Sequence, residues 1–429
     1  MYIAFHIVGR NMFKVFEAFS GIGSQAKALS NITSDYEIIN TADWDINAII
    51  AYYLIHKDYS TYKKYDGISD EDINKHLQKY ALSSDGKTEM KGNAYNKLPA
   101  SVKRLLYVAI AETHNMVNIA DIKGIDMPSD VDLFTYSFPC QDLSLCGCWH
   151  GNKSGISRTA HNRSGMLWEV ERILLEMNDG GIKLPKFLLM ENVTNILSKP
   201  HARDFNDWKS TLTDLGYYNI IYRLNARNFG IPQNRERAYM LSILCNDNEF
   251  NVEDLDNYFI KNNLQVRSEN GSLGIDNLKL KDILRLDYSN QQYRSEADTN
   301  NPNNTPSRQQ IWDSNDVLVD RDGRINNIIV NTVTTKQDRN PNSGVIFYEP
   351  QNELKSKFRY LTPRECFMLM GFKEIDYQRI VDHNIITNNN RRLFSNEKLS
   401  KMAGNSIVVN VLEEIFKQIL ELSKNNKIG

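Results

Sequence analysis

The chain has 429 residues, 41% of them hydrophobic, enough for one large domain and a smaller one that fold without a partner. A formal net charge of -2 neither supports nor excludes nucleic acid, since a basic cleft can sit on a neutral protein. Five cysteines, an odd number, exclude a disulfide scaffold and point to a cytoplasmic protein; the apolar Tyr2–Val8 is too short to span a bilayer and lacks a leader with a cleavage site.

In chain order, Val15–Phe19 reads as a buried strand, Gly21-Ile22-Gly23 as a turn, and Ser24–Ser30 as the start of a helix. Tyr36–Asn40 is a second strand leading through Asp43-Trp44-Asp45 into a helix with Ile49, Ile50 and Tyr53. A polar, Lys-rich insertion over 59–117 follows, with helices of its own and one near Val102–Glu112. Strands are then expected at Val131–Tyr136, Phe187–Met190, Ile220–Tyr222 and Ala238–Leu244, with helices at Met166–Met177 and Asp204–Leu215 between them. Such alternation implies an α/β fold with a doubly wound, mostly parallel sheet, whose ligands bind at the carboxyl ends of the strands. The catalytic and cofactor-binding domain is placed at 12–246. From 247 to 357, short apolar runs lie between Asn, Ser, Pro and Asp, which suggests a small irregular domain rich in strands and loops. After Tyr360 helices return, one starting at Pro363 and another over Val408–Ser423, so 358–429 is expected to rejoin the first domain.

The carboxyl ends of two of these strands carry chemistry. Phe138-Pro139-Cys140-Gln141 delivers a thiol, and Glu191-Asn192-Val193 delivers a carboxylate about fifty residues later. Cytosine C5 is a poor nucleophile until a thiolate adds to C6, and that adduct needs a proton or strong hydrogen bond at N3 from a buried carboxyl group of raised pKa. Alone, Cys140 reads as a small buried core residue. Cys140, Cys146 and Cys148 crowd together, but without zinc spacing or a second ligand pair. The Phe19-Ser20-Gly21-Ile22-Gly23 turn lacks the third glycine of a dinucleotide loop. Paired with Asp43-Trp44, it suits an adenosine, with the acid on the ribose hydroxyls and the indole on the adenine face; otherwise Asp43 is a helix cap and Trp44 a core filler.

The order Phe19-x-Gly21-x-Gly23, Asp43-Trp44, Asp121-Ile122, Pro139-Cys140-Gln141, Arg163-Ser164-Gly165, Glu191-Asn192-Val193, Gln233-Asn234-Arg235-Glu236-Arg237 and Gly404-Asn405-Ser406 resembles the DNA (cytosine-5) methyltransferase family over nearly the whole chain. Tyr136–Ser144 and Arg163–Ile173 are most similar to the CpG methyltransferases of mollicutes. The resemblance implies an S-adenosylmethionine-dependent enzyme with a Rossmann-like fold, whose target-recognition domain is 247–357. Phe19, Gly21, Gly23, Asp43, Trp44, Asp121, Ile122, Pro139, Leu167, Asn405 and Ser406 would hold the cofactor. Glu17 and Asp43 stand where Asp and Glu are common. Cys140 would be the nucleophile, Glu191 the N3 partner, Arg237 a contact to the flipped cytosine and Arg235 a contact to a flanking phosphate, unless these arginines cap helices or form salt bridges. Lys153, Arg158 and Arg163 would close over DNA from the stretch 147–165. Gln141, Ser144, Arg163 and Thr332 would touch double-stranded DNA, and Gln337 and Arg339 would read base edges or lie on a solvated hairpin.

The expected protein is a monomer serving restriction-modification or phage and host DNA protection, with a paired endonuclease as a further expectation. A tRNA cytosine-5 methyltransferase, a catalytically silent DNA-binding regulator and a non-nucleic-acid α/β binding protein are the alternatives. CpG specificity does not follow, because Thr332–Ile346 does not look like the CpG enzymes' recognition element.

Overall fold

The computed structural model describes residues 12–140, 143, 155–158, 163–245, 250–326, 329–337, 342–387 and 390–424. A six-stranded sheet organises the chain, in the order β2 (Tyr36–Ala42), β1 (Phe13–Ala18), β3 (Leu133–Tyr136), β4 (Phe187–Val193), β7 (Glu236–Leu244) and β5 (Tyr217–Asn225). Only β7 runs against its neighbours. The continuous apolar runs of the central strands β1, β3 and β4 have a direct cause: both sheet faces are covered there, so almost no position of the pleat meets water, whereas the edge strands β2 and β5 keep exposed positions.

One face buries Val15, Leu133, Phe187, Leu189 and Leu241 under helices α1 (Ser24–Ile32), α2 (Ile46–His56) and α3 (Ala100–Glu112). The other buries Phe16, Phe134, Tyr136, Leu188 and Met240 under α4 (Leu167–Asp179) and α5 (Ala202–Asp214). The expected insertion is not a separate module. Val102, Leu105 and Leu106 of α3 join the same core as Ile49, Ile50 and Tyr53 of α2.

The segment expected to be rich in strands and loops begins with helices. Among them are α6 (Val252–Lys261), α7 (Leu264–Glu269), α8 (Gln291–Thr299) and α9 (Pro306–Asp313), followed by the short strands β8 (Val317–Val319), β9 (Val330–Asn331) and β10 (Val345–Phe347). The asparagines that read as loop breakers are N-caps: the side chains of Asn251, Asn263 and Asn290 accept hydrogen bonds from first-turn amides. Leu255, Tyr258 and Phe259 form an apolar stripe at helical spacing, and Phe259 stacks on Tyr218 of β5 at 5.9 Å. Residues 252–261 thus pack on the main sheet.

Downstream, β8, β10 and β11 (Phe358–Arg359) make a small sheet, and β6 (Gln233–Asn234) pairs with β9. The fully buried Arg359–Glu365 pair and the Arg364–Glu296 pair tie this region to α10 (Pro363–Leu369). Helix α11 (Asn396–Asn405) leads to the C-terminal α12 (Val409–Lys424). Leu412, Ile415 and Phe416 of α12 share a core with Ala28 and Leu29 of α1, and Asn31 donates to Glu413 at 2.6 Å.

Candidate active site

Cys140 follows the end of β3, and Glu191 lies within the strand β4, near its carboxyl end, rather than beyond it. Three side chains fix the backbone around the thiol. Asn192 donates to the Phe138 carbonyl at 3.1 Å, buried Ser164 to the Pro139 carbonyl at 2.8 Å, and Asn195 to the Leu143 carbonyl at 2.7 Å. Across the antiparallel pair, Glu191 faces Tyr239 and lies diagonal to Arg237, whose Nε is 3.5 Å from its carboxylate. Burial pushes the Cys140 thiol up, with Arg237 opposing and Glu191 adding to the rise. Burial also raises Glu191, and the Arg237 and Arg235 charges hold it down in part. The site therefore favours a neutral thiol and a protonatable carboxyl group around one arginine.

At the end of β1 the chain turns sharply. Phe19 adopts φ 55°, Gly21 53° and Gly23 78°. Gly23 is required by packing as well, since a Cβ there would lie 2.3 Å from the His56 ring, whose Nε2 donates to the Ile22 carbonyl. Asp43 fastens the turn: its carboxylate accepts the Gly21 amide at 2.9 Å and the Asp45 amide at 2.8 Å. Burial, with Asp45 nearby, raises Asp43 to about 6. Asn115, unmarked in the sequence reading, accepts both the Asp43 and Val117 amides and so joins β2 to the loop carrying Asp121 and Ile122. Its signal is weak, because an asparagine in a polar stretch looks like any loop residue.

These features fit S-adenosylmethionine. Open space lies in front of Gly21, where a Cβ would meet nothing within 4 Å. Beside the turn, Glu17 Oε1, Ser20 Oγ and Thr135 Oγ1 are buried with no hydrogen-bond partner among the described residues, and Glu17 pairs in register with Thr135. Each oxygen of Asp43 keeps lone-pair capacity for a ribose hydroxyl. Trp44 is partly buried, Ile122 and Leu167 are buried, and Asp121 and Asn405 are exposed.

The C-5 cytosine-specific DNA methylase family model matches residues 94–421. The chain belongs to this family. It is similar to the orphan methyltransferase M.SssI of Spiroplasma monobiae, at 33% identity over 95% of this chain and 97% of that one. It is also similar to the type II methyltransferase M2.ScrFI of Lactococcus lactis subsp. cremoris, at 31% identity over 96% and 99%. Among solved structures, the Dnmt2 methyltransferase of S. pombe aligns with a TM-score of 0.56 at 19% identity, over 95% of this chain and 98% of that one, which supports the fold.

Within this cytosine methylase, several expected site residues are placed differently. Arg235 cannot reach a flanking phosphate: it is 4% exposed, and its guanidinium donates to the carbonyls of Val333, Gly404 and Ser406. Gln337 does not read a base edge, being buried with its amide donating to the Thr334 carbonyl and accepting from Ser343. Arg158 is taken by Glu171 through both terminal nitrogens and lies 3.7 Å from the Trp168 ring, so it is not a free cation for DNA. Thr332 is partly exposed and donates to the Asn234 carbonyl. Lys153, Gln141, Ser144 and Arg339, and the side chain of Arg163, lie outside the described residues. Among the described residues no group of His, Cys, Asp and Glu is arranged for a metal, and no helix is long and apolar enough to cross a membrane.

Proposed function

We propose that the protein methylates C5 of cytosine in double-stranded DNA, with Cys140 as nucleophile and Glu191 as the N3 acid. The observation that carries this is the convergence of Cys140, Glu191 and Arg237 at the carboxyl ends of β3 and β4, beside the Gly21–Gly23 turn held by Asp43. S-adenosylmethionine supplies the methyl group when bound. Asp43 holds its ribose, Trp44 and Ile122 its adenine with Asp121, and Phe19, Gly21, Gly23, Pro139, Leu167, Asn405 and Ser406 complete the cradle.

The Cys140 thiol loses its proton as sulfur bonds to C6, and the displaced ring electrons are met at N3 by the proton of Glu191. Arg237 steadies the carboxyl group before that transfer and the anion after it. C5 then carries the electron density that accepts the methyl group. Water takes the C5 proton, the C6–sulfur bond breaks, the N3 proton returns to Glu191, and the sulfur regains from water the proton it gave up there on adding to C6. Sulfur must approach C6 from above the ring, where neighbouring bases stack, so the cytosine leaves the helix.

Of the expected recognition region 247–357, the part beyond the helices that pack on β5, 270–357, would recognise flanking bases, with Thr332 near the flipped nucleotide. Modification of the organism's own DNA in a restriction or phage-protection setting is the role that suits this chemistry. Bisulfite sequencing of a plasmid from cells expressing the chain should give both activity and target. Parallel assays on tRNA and duplex DNA separate this reading from the tRNA enzyme. A duplex carrying 5-fluorocytosine should trap the protein covalently, and no adduct would remove Cys140 as nucleophile.

A further inference from the structure

The Gln233-Asn234-Arg235 segment joins three parts of the chain that are distant in sequence. Gln233 is fully buried: its amide donates to the Leu369 carbonyl at 2.7 Å and its oxygen accepts the Val333 amide at 2.9 Å. Arg235 holds the other backbone group of the same residue, donating to the Val333 carbonyl at 2.9 Å. Between them, two side chains of the catalytic sheet's margin continue the β6–β9 pairing past its last backbone bond. The remaining terminal nitrogen of Arg235 reaches the carbonyls of Gly404 at 3.1 Å and Ser406 at 2.9 Å, where α11 ends.

Gly404 closes the contact directly. A Cβ on it would lie 2.5 Å from the Thr334 carbonyl carbon, so the backbones of 334–335 and 404 touch with no space for a side chain. A guanidinium suits this junction because its fixed fork of donors can serve carbonyls in several directions at once; a lysine ammonium offers one point. Burial lowers its pKa to about 9, which leaves the charge in place at neutral pH.

We infer that Arg235 is a positioning residue that couples cofactor binding at Asn405-Ser406 to DNA binding at Thr332–Thr334, because one guanidinium holds both segments. The inference rests on the functional reading above. A cofactor that fixes the end of α11 also fixes Arg235, and with it Val333. By reciprocity, a duplex that fixes Thr332–Thr334 favours the cofactor-binding arrangement by the same factor.

The test is the dissociation constant of a target-containing duplex for the full chain, with and without saturating S-adenosylhomocysteine. In the wild type the cofactor product should tighten duplex binding by about fivefold or more, the lower end of ordinary coupling. In Arg235→Lys, which keeps the charge felt by Cys140 and Glu191, this factor should fall below about twofold. Gly404→Ala, which forces the same two backbones apart from the other side, should do likewise if the lysine variant does not fold. A merely structural role would lower the melting temperature and leave the ratio unchanged, because both affinities are measured on one protein. An unchanged ratio in either folded variant overturns the inference, as does a wild type that binds both ligands independently. A wild type that binds neither ligand overturns the functional reading instead, and the inference with it.

Discussion

Replacing Glu17 by glutamine should make folding stability less sensitive to pH, by an amount that follows from the burial of one carboxyl group. Glu17 is fully buried at the end of β1, where it accepts the Tyr52 hydroxyl at 2.8 Å and faces no cation at contact distance. Burial raises its pKa from 4.5 to about 7, with Tyr52 and the Ala26 amide pulling the other way. A raised carboxyl pKa means that the folded state holds the proton more tightly than the unfolded chain. Its contribution to stability is therefore complete below about pH 4.5 and is lost as pH rises to about 7. A rise of about 2.5 units corresponds to about 3 kcal/mol, of which about 2–3 kcal/mol falls between pH 5 and pH 8. Glutamine keeps an acceptor for Tyr52 and has no charge to bury. Urea unfolding of the cofactor-free wild type and Glu17→Gln at those two pH values should show the variant gaining about 2–3 kcal/mol on the wild type at the higher one. A difference between the two proteins that stays constant with pH would refute the reasoning, and would mean that Glu17 is ionised and solvated in the folded protein.

Cys140→Ala should abolish methyl transfer while leaving duplex and cofactor binding intact; a variant keeping a tenth of the wild-type turnover would exclude the covalent route. Trp44→Ala should weaken S-adenosylmethionine binding by about 1–3 kcal/mol in calorimetry, with duplex affinity measured without cofactor unchanged. Asn192→Ala removes the bond to the Phe138 carbonyl and should lower kcat by about tenfold to a hundredfold, with cofactor affinity held, as single-turnover kinetics would reveal. Exchanging 270–357 for the corresponding region of a relative should redirect methylation to a different sequence, read from a randomised-flank DNA library, and a retained target would remove this region from recognition.

The centre of the sheet was legible in the sequence because β1, β3 and β4 are buried on both faces, and such strands appear as unbroken apolar runs between polar helix faces. The nucleophile and its acid were legible for a related reason, since the end of a strand is a fixed place in the fold. The helices of 252–313 were not, because Asn, Ser and Thr at an N-cap are the same letters as Asn, Ser and Thr in a loop, and only the stripe Leu255, Tyr258, Phe259 separates the two. Arg235 and Gln337 were misread for a deeper reason. The Arg235 guanidinium and the Gln337 amide nitrogen are satisfied by backbone carbonyls, which carry no residue identity, so these partners leave no trace in composition or spacing. Arg237, two residues further, reaches Glu191 diagonally across the β4–β7 pair, a side chain that does leave such a trace.

The packing of α12 on α1 fixes when, during synthesis, this protein can become itself. Asn31 and Glu413 are separated by 382 residues, so the side of α1 that packs on α12 lacks that cover until α12 has been translated. At about 5–20 residues per second, that interval is roughly 20–80 s on the ribosome, with the α12-facing side of α1 bare. Chaperone demand should concentrate in that window, and a stalled ribosome short of Val409 would hold a chain that has its nucleophile and its acid but not the helix that closes their scaffold.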